Sequence, residues 1–124
     1  MKNNTATTTT AIKTMRDSSG FQISGLNGYT LSIGVGSGHY CENQSSRYGD
    51  DSNKPTSTME VAVLRDGGDC EFVCLPQDVA GWVQVCNLGP LIKAVSDHDW
   101  YLVCSLCDTS TPSDELRPYK FPKE

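Results

Sequence analysis

The chain has 124 residues, of which 37% are hydrophobic and 20% charged, with a formal net charge of −5 and six cysteines. That length fits a single domain, no run approaches the roughly 18 consecutive apolar residues of a membrane span, and the acidic balance disfavours direct binding to phosphate backbones. The first residues lack the apolar h-region of a secretory signal, so a cytoplasmic protein with no membrane partner is expected.

Residues 1–19 are Thr-rich, with six threonines among the first 16, and predict a flexible end. From Phe21 the pattern becomes periodic. Phe21 and Ile23 alternate with polar residues, as do Tyr29, Leu31, Ile33 and Val35, with Asn27-Gly28 between the two runs. A two-residue turn would set Ile23 against Ser32 and waste both apolar faces. A three-residue loop, Leu26-Asn27-Gly28, pairs Ile23 with Leu31 and Phe21 with Ile33, with Gly28 in the left-handed position such loops need.

Residues 36–57 follow, a polar stretch with almost no aliphatic side chain. A connection this long is uncommon in a small domain and usually marks a binding or disordered loop. It gathers His39, Tyr40, Cys41, Arg47 and Tyr48. Beyond it, Met59, Val61 and Val63 alternate, as do Cys70, Phe72 and Cys74. A Gly67-Gly68 turn would pair Val63 with Phe72 and Val61 with Cys74 as a second hairpin.

Val79 to Cys86 reads as a fifth strand with a bulge at Gly81. If Val83 and Val85 face the core, Trp82 points outward; a bulge could equally turn it inward, and both remain open. Leu88, Leu91, Ile92 and Val95 then take helical spacing, with Asn87 as N-cap and Pro90 in the first turn. Trp100, Val103, Cys104 and Cys107 repeat that spacing behind Asp97 as cap. Residues 108–124, with Pro112, Pro118 and Pro122, predict a flexible tail. The expected architecture is α+β: an antiparallel sheet of about five strands, two hairpins plus one, with two C-terminal helices on one face, within a single domain over 20–107.

Cys104 and Cys107 form a C-x₂-C pair, and Cys70 and Cys74 a C-x₃-C pair. Strand residues four apart lie ~13 Å from one another, whereas thiolates on one zinc approach within about 4 Å, so a strand over 70–74 speaks against zinc. No secretory signal supports disulfides. The cysteines at 70, 74, 86, 104 and 107 fall on or beside predicted inward faces, as small reduced hydrophobes. Cys41 stands apart in the polar loop, two residues after His39.

Gly34, Gly36 and Gly38 give G-x-G-x-G after a strand, but no helical period or Gly-Lys-Ser/Thr follows, so a phosphate loop is not indicated. Asp97-His98-Asp99 resembles a metal triplet in composition, yet capping and the helix dipole account for both carboxylates. No cofactor is expected.

Eight acids (Glu42, Asp50, Asp51, Glu60, Asp66, Asp69, Glu71, Asp78) face three bases between residues 42 and 78, against seven of each elsewhere. The whole excess therefore lies on the loop and the following hairpin, where a solvated acidic face or a surface for a basic protein would result. The expected partner-binding residues are Trp82, His39, Tyr40, Arg47, Tyr48, Asp66, Asp69 and Glu71, on a non-enzymatic module for a protein partner or a second copy. A small enzyme or nucleotide-binding protein using His39, Cys41 and Arg47, and a structural zinc domain, are the alternatives.

The strings Leu31-Ser-Ile-Gly-Val-Gly-Ser-Gly-His-Tyr-Cys41, Met59-Glu-Val-Ala-Val63 and Asp78-Val-Ala-Gly-Trp-Val83, in that order before an amphipathic helix, resemble small accessory proteins of bacteriophages and prophages. The resemblance implies a non-enzymatic protein of a class in which some members blunt host defences by binding a defence protein. It carries no functional residues.

Overall fold

The fold is a five-stranded antiparallel meander with its helices late in the chain, seen in a computed structural model that describes residues 9–15, 19–36, 39, 41, 55–67 and 70–123. The strands are β1 (Ala11–Thr14), β2 (Gly20–Ser24), β3 (Tyr29–Gly34), β4 (Thr58–Arg65) and β5 (Val79–Gln84), and they neighbour one another in chain order. The helices are α1 (Leu88–Ser96), α2 (Trp100–Leu106) and the short α3 (Arg117–Lys120). The α+β architecture is therefore the one the sequence predicts, reached with a partly different set of strands.

The first hairpin keeps the expected register, Ile23 against Leu31 and Phe21 against Ile33. Its loop does not. Leu26 and Tyr29 exchange backbone hydrogen bonds in both directions, at 2.9 and 3.3 Å, which closes a two-residue Asn27-Gly28 turn. Both turn residues have positive φ (51° and 99°), as the twist of a tight hairpin requires. The register survives because Gly25, at φ 74°, takes up one extra residue as a bulge.

β1 lies inside the stretch expected to be a flexible end. It pairs with β2, Ile12 opposite Ile23, as an edge strand with all four residues exposed. The segment 70–75 makes the opposite correction, because it is not a strand. Arg65 N–H donates to the Glu71 carbonyl and Val73 N–H to the Val63 carbonyl, leaving a single bridge, Leu64 to Phe72. That is one residue away from the expected pairing, so the faces invert: Val73 is buried, while Phe72 and Cys70 are exposed. Cys70 and Cys74 sit at φ 52° and 76°, which no extended strand permits.

One face of the sheet is the core. Ile23, Leu31, Ile33, Met59, Val61, Val63, Ala80 and Val83 meet Leu91, Ala94 and Val95 of α1 and Trp100, Val103 and Cys104 of α2. The period-2 pattern of the strands and the 3.6-residue pattern of the helices thus bury one stripe each. The helix ends differ from expectation. Asn87 makes no side-chain cap; its amide donates to the Leu106 carbonyl at 2.9 Å and ties the start of α1 to the end of α2. Asp99, not Asp97, caps α2 by accepting from Leu102 N–H, and Asp97 closes α1 and pairs with Lys93. His98 is half-buried, stacked on Trp100 and hydrogen-bonded to the Asn27 carbonyl at 2.8 Å. The Asp97-His98-Asp99 triplet is thereby consumed by the α1–α2 corner.

The expected fifth strand stops at Gln84. A 3₁₀ turn over Val85–Asn87 follows, which leaves Cys86 exposed rather than inward. The tail is docked as well. Phe121 packs against the core and edge-on to Tyr101, Lys120 pairs with Asp78, and Cys74 N–H donates to the Lys120 carbonyl. Among the described residues no helix is long and apolar enough to cross a membrane.

Candidate functional site

The other face of the sheet has a different chemistry. Gln22, Thr30, Ser32 and Glu60 occupy the alternate positions and are half-buried. At one end, Gly20 pairs with Gly34 and Gly34 with Glu60, a row across three strands. His39 lies over this row. A Cβ built on Gly34 would fall 2.2 Å from His39 Nδ1, so the ring rests where only glycine leaves room. That is the use the structure gives the first glycine of the G-x-G-x-G string.

His39 Nδ1 is 2.9 Å from Glu60 Oε1, and the two side chains are 19% and 18% exposed. His39 Nε2 is 3.3 Å from Ser19 Oγ. A carboxylate accepts from Nδ1–H, which leaves Nε2 to accept from the serine hydroxyl in the neutral ring. Hydroxyl, imidazole and carboxylate are therefore in series. The arrangement fixes the entry to the 36–57 segment on the sheet, and it is also the order in which a histidine can draw a proton from a serine.

On the far side of β4 the register slips. Met59 pairs with Val83 but Val61 with Ala80, so Gly81 and Trp82 together stand opposite Glu60. This is the bulge expected at Gly81, and it settles the two open orientations of Trp82: the indole is 52% exposed. Its backbone is at φ 60°, a conformation that costs an L-residue about 1–2 kcal/mol. A bulky side chain held there is an outlier. The bulge re-aims the largest side chain of β5 into solvent, while Ala80 and Val83 on either side stay buried.

The remaining expected site residues are placed as follows. Asp66 is half-buried and already engaged, accepting from Thr30 Oγ1 at 2.6 Å and from Gly25 N–H at 3.3 Å. Glu71 is exposed but pairs with Arg65 at 3.0 Å, and Arg65 also donates to the Tyr29 hydroxyl. These acids therefore brace the first hairpin and β4 more than they present free charge. Tyr40, Arg47, Tyr48 and Asp69 lie outside the described residues. Cys41 is fully buried, with its sulfur accepting from Gly36 N–H at 3.3 Å and lying 3.7 Å from the His39 carbonyl. It anchors the start of the loop, and the expectation of a polar-loop thiol is corrected.

Ser19 and Glu60 were not expected at any site. The pairing of Gly20, Gly34 and Glu60 brings them together across forty residues of sequence spacing that carries no signal. Among the described residues no group of three metal-ligating side chains converges. No family model, no curated protein and no solved structure matches this chain.

Proposed function

We propose that the protein is a non-enzymatic binding module that docks a protein partner on the outer end of its sheet, with Trp82 as the anchor beside His39 and Glu60. The observation that carries this is the exposed indole on a positive-φ bulge. Exposed aromatic anchors dominate the energetics of protein interfaces, and backbone strain held by surrounding structure clusters at working sites. Opposite Trp82, Glu60 holds the His39 imidazole, whose other nitrogen lies 3.3 Å from Ser19 Oγ, and β4 pairs with β5 on both sides of the bulge. A preorganised patch loses less entropy on binding. The resemblance to phage accessory proteins makes a bacterial defence protein the partner class, and its inhibition the consequence.

The test is capture from bacterial lysate by the wild type and by Trp82→Ala, followed by titration of the retained protein against both. Loss of about 2 kcal/mol or more of affinity in the variant, at unchanged thermal stability, supports the proposal. Equal retention overturns it.

The series Ser19–His39–Glu60 supports a second reading, acyl transfer with Ser19 as nucleophile. A fluorophosphonate probe separates the two. Labelling of Ser19 that disappears in Ser19→Ala and His39→Ala would favour the enzyme, and no labelling leaves the docking module.

A further inference from the structure

Three cysteines sit in the core, and two of them touch. Cys74 and Cys104 are fully buried with their sulfurs 3.9 Å apart. Backbone carbonyls lie beside both: Cys74 Sγ is 3.5 Å from the Trp100 carbonyl oxygen, and Cys104 Sγ 3.7 Å from that of Cys74. One cysteine stands on the irregular segment after β4 and the other in the middle of α2. A bond between them would staple the sheet side of the molecule to its helical layer.

A disulfide needs sulfurs about 2.05 Å apart, so closure asks for an approach of roughly 2 Å. Both sulfurs are closed off by burial, and the tail is strapped to the Cys74 segment. Cys74 N–H is held by the Lys120 carbonyl, Lys120 pairs with Asp78, and Phe121 is seated against Tyr101. Lifting residues 120 and 121 breaks the Cys74–Lys120 backbone hydrogen bond, the Lys120–Asp78 ion pair and the contacts of Phe121 with Tyr101 and the core, a local opening smaller than global unfolding.

We propose that Cys74 and Cys104 are a redox pair that closes to a disulfide by exchange with a low-molecular-weight disulfide when the C-terminal strap lifts. The Cys104 thiolate attacks one sulfur of the small disulfide, whose S–S bond breaks and releases one small thiolate. Cys74 then attacks the Cys104 sulfur as its proton passes to the departing small thiolate, and the protein S–S bond forms. The two cysteine protons end on the two small thiols. The protein loses two electrons and the small disulfide gains them.

The hydrogen bond from Cys74 favours Cys104 as the first nucleophile, pulling its thiol down to about 7, while the same bond and burial hold Cys74 far up. Cys107, pushed up to about 12 by burial and by the neighbouring Cys104, stays protonated and outside the exchange.

The full chain is incubated with oxidised glutathione, the remaining thiols are alkylated after denaturation, and peptides are mapped. The expected result is a cross-linked peptide joining Cys74 to Cys104, lighter by two hydrogens, while exposed Cys70 and Cys86 carry glutathione. Lys120→Ala should raise the rate of cross-link formation several-fold without changing its identity. Oxidised protein should unfold at higher urea than reduced protein, a shift that dithiothreitol reverses and Cys104→Ala abolishes. Full alkylation of Cys74 and Cys104, both in the wild type and in the strap variant after exhaustive oxidation, would overturn the proposal. So would a cross-link joining Cys104 to Cys107 instead.

Discussion

The two faces of the sheet solve opposite problems with the same backbone. The inner face buries Leu31, Val61 and Val63 completely under α1 and α2, so each side chain there is fixed by many neighbours and replaceable by none. The outer face, at the Gly20–Gly34–Glu60 row, relies on a few polar contacts and one strained residue. Apolar packing is concentrated on one side and polar side-chain contacts on the other. The bulge at Gly81 and Trp82 is where they separate, because Ala80 and Val83 stay in the core while the residue between them and the helices' reach is turned out.

Perturbing each face in turn should expose the contrast. The largest effect belongs to the inner face: Leu31→Ala removes a fully buried side chain and should cost about 2–5 kcal/mol in urea unfolding, with partner binding per folded molecule unchanged. Next comes the seam between the faces. Gly34→Ala drives a methyl into the His39 ring and should cost about 1–3 kcal/mol, and it should also weaken binding, because the imidazole is displaced from Glu60, the residue opposite Trp82. Glu60→Gln leaves the shape intact but replaces a carboxylate with an amide, and should cost about 1 kcal/mol by the same assay.

Alkaline pH reaches the inner face through Cys107. The Cys107 thiol is raised from 9.0 to about 12 in the folded protein, so the unfolded chain ionises first. Stability from this group is complete below pH 9.0 and is lost as pH rises towards 12. At one pH unit above the ordinary thiol value the loss should be about 1 kcal/mol, and Cys107→Ala should flatten the fall by that amount in a pH series of unfolding midpoints. The smallest effect should have the opposite sign. Trp82→Gly relieves the positive φ and should leave stability unchanged or raise it by up to about 1 kcal/mol, while binding is lost.

How far these features could be read from residues alone follows from the range of the forces involved. The register of the first hairpin was readable because Ile23 and Leu31 must share a face, and a one-residue slip would expose both. Its turn was not, since the Gly25 bulge lets a two-residue turn coexist with a register that an unbulged two-residue hairpin excludes. The stretch 70–74 carries strand-like alternation, but Cys70 and Cys74 adopt positive φ, and cysteine gives no local warning of that. β1 has one large apolar residue, Ile12, beside Ala11 and pairs with β2, so no periodicity announces it. The docked tail is equally silent, because Lys120 and Phe121 find Asp78 and Tyr101 only after the sheet and α2 have formed. At the candidate site the bulge at Gly81 was readable, but the direction of Trp82 was not, because alternation turned it outward while a bulge could equally have turned it inward. Ser19 and Glu60 were not, because the 36–57 connection leaves the pairing of Gly34 with Glu60 undetermined by sequence.

The most direct test of the central claim is a binding titration of the lysate-captured partner against wild type and Trp82→Gly, with urea unfolding of both. A variant at least as stable as the wild type that no longer binds is the predicted result. A variant that binds as tightly as the wild type would show that the exposed indole and its strained bulge serve no partner, and would contradict the account.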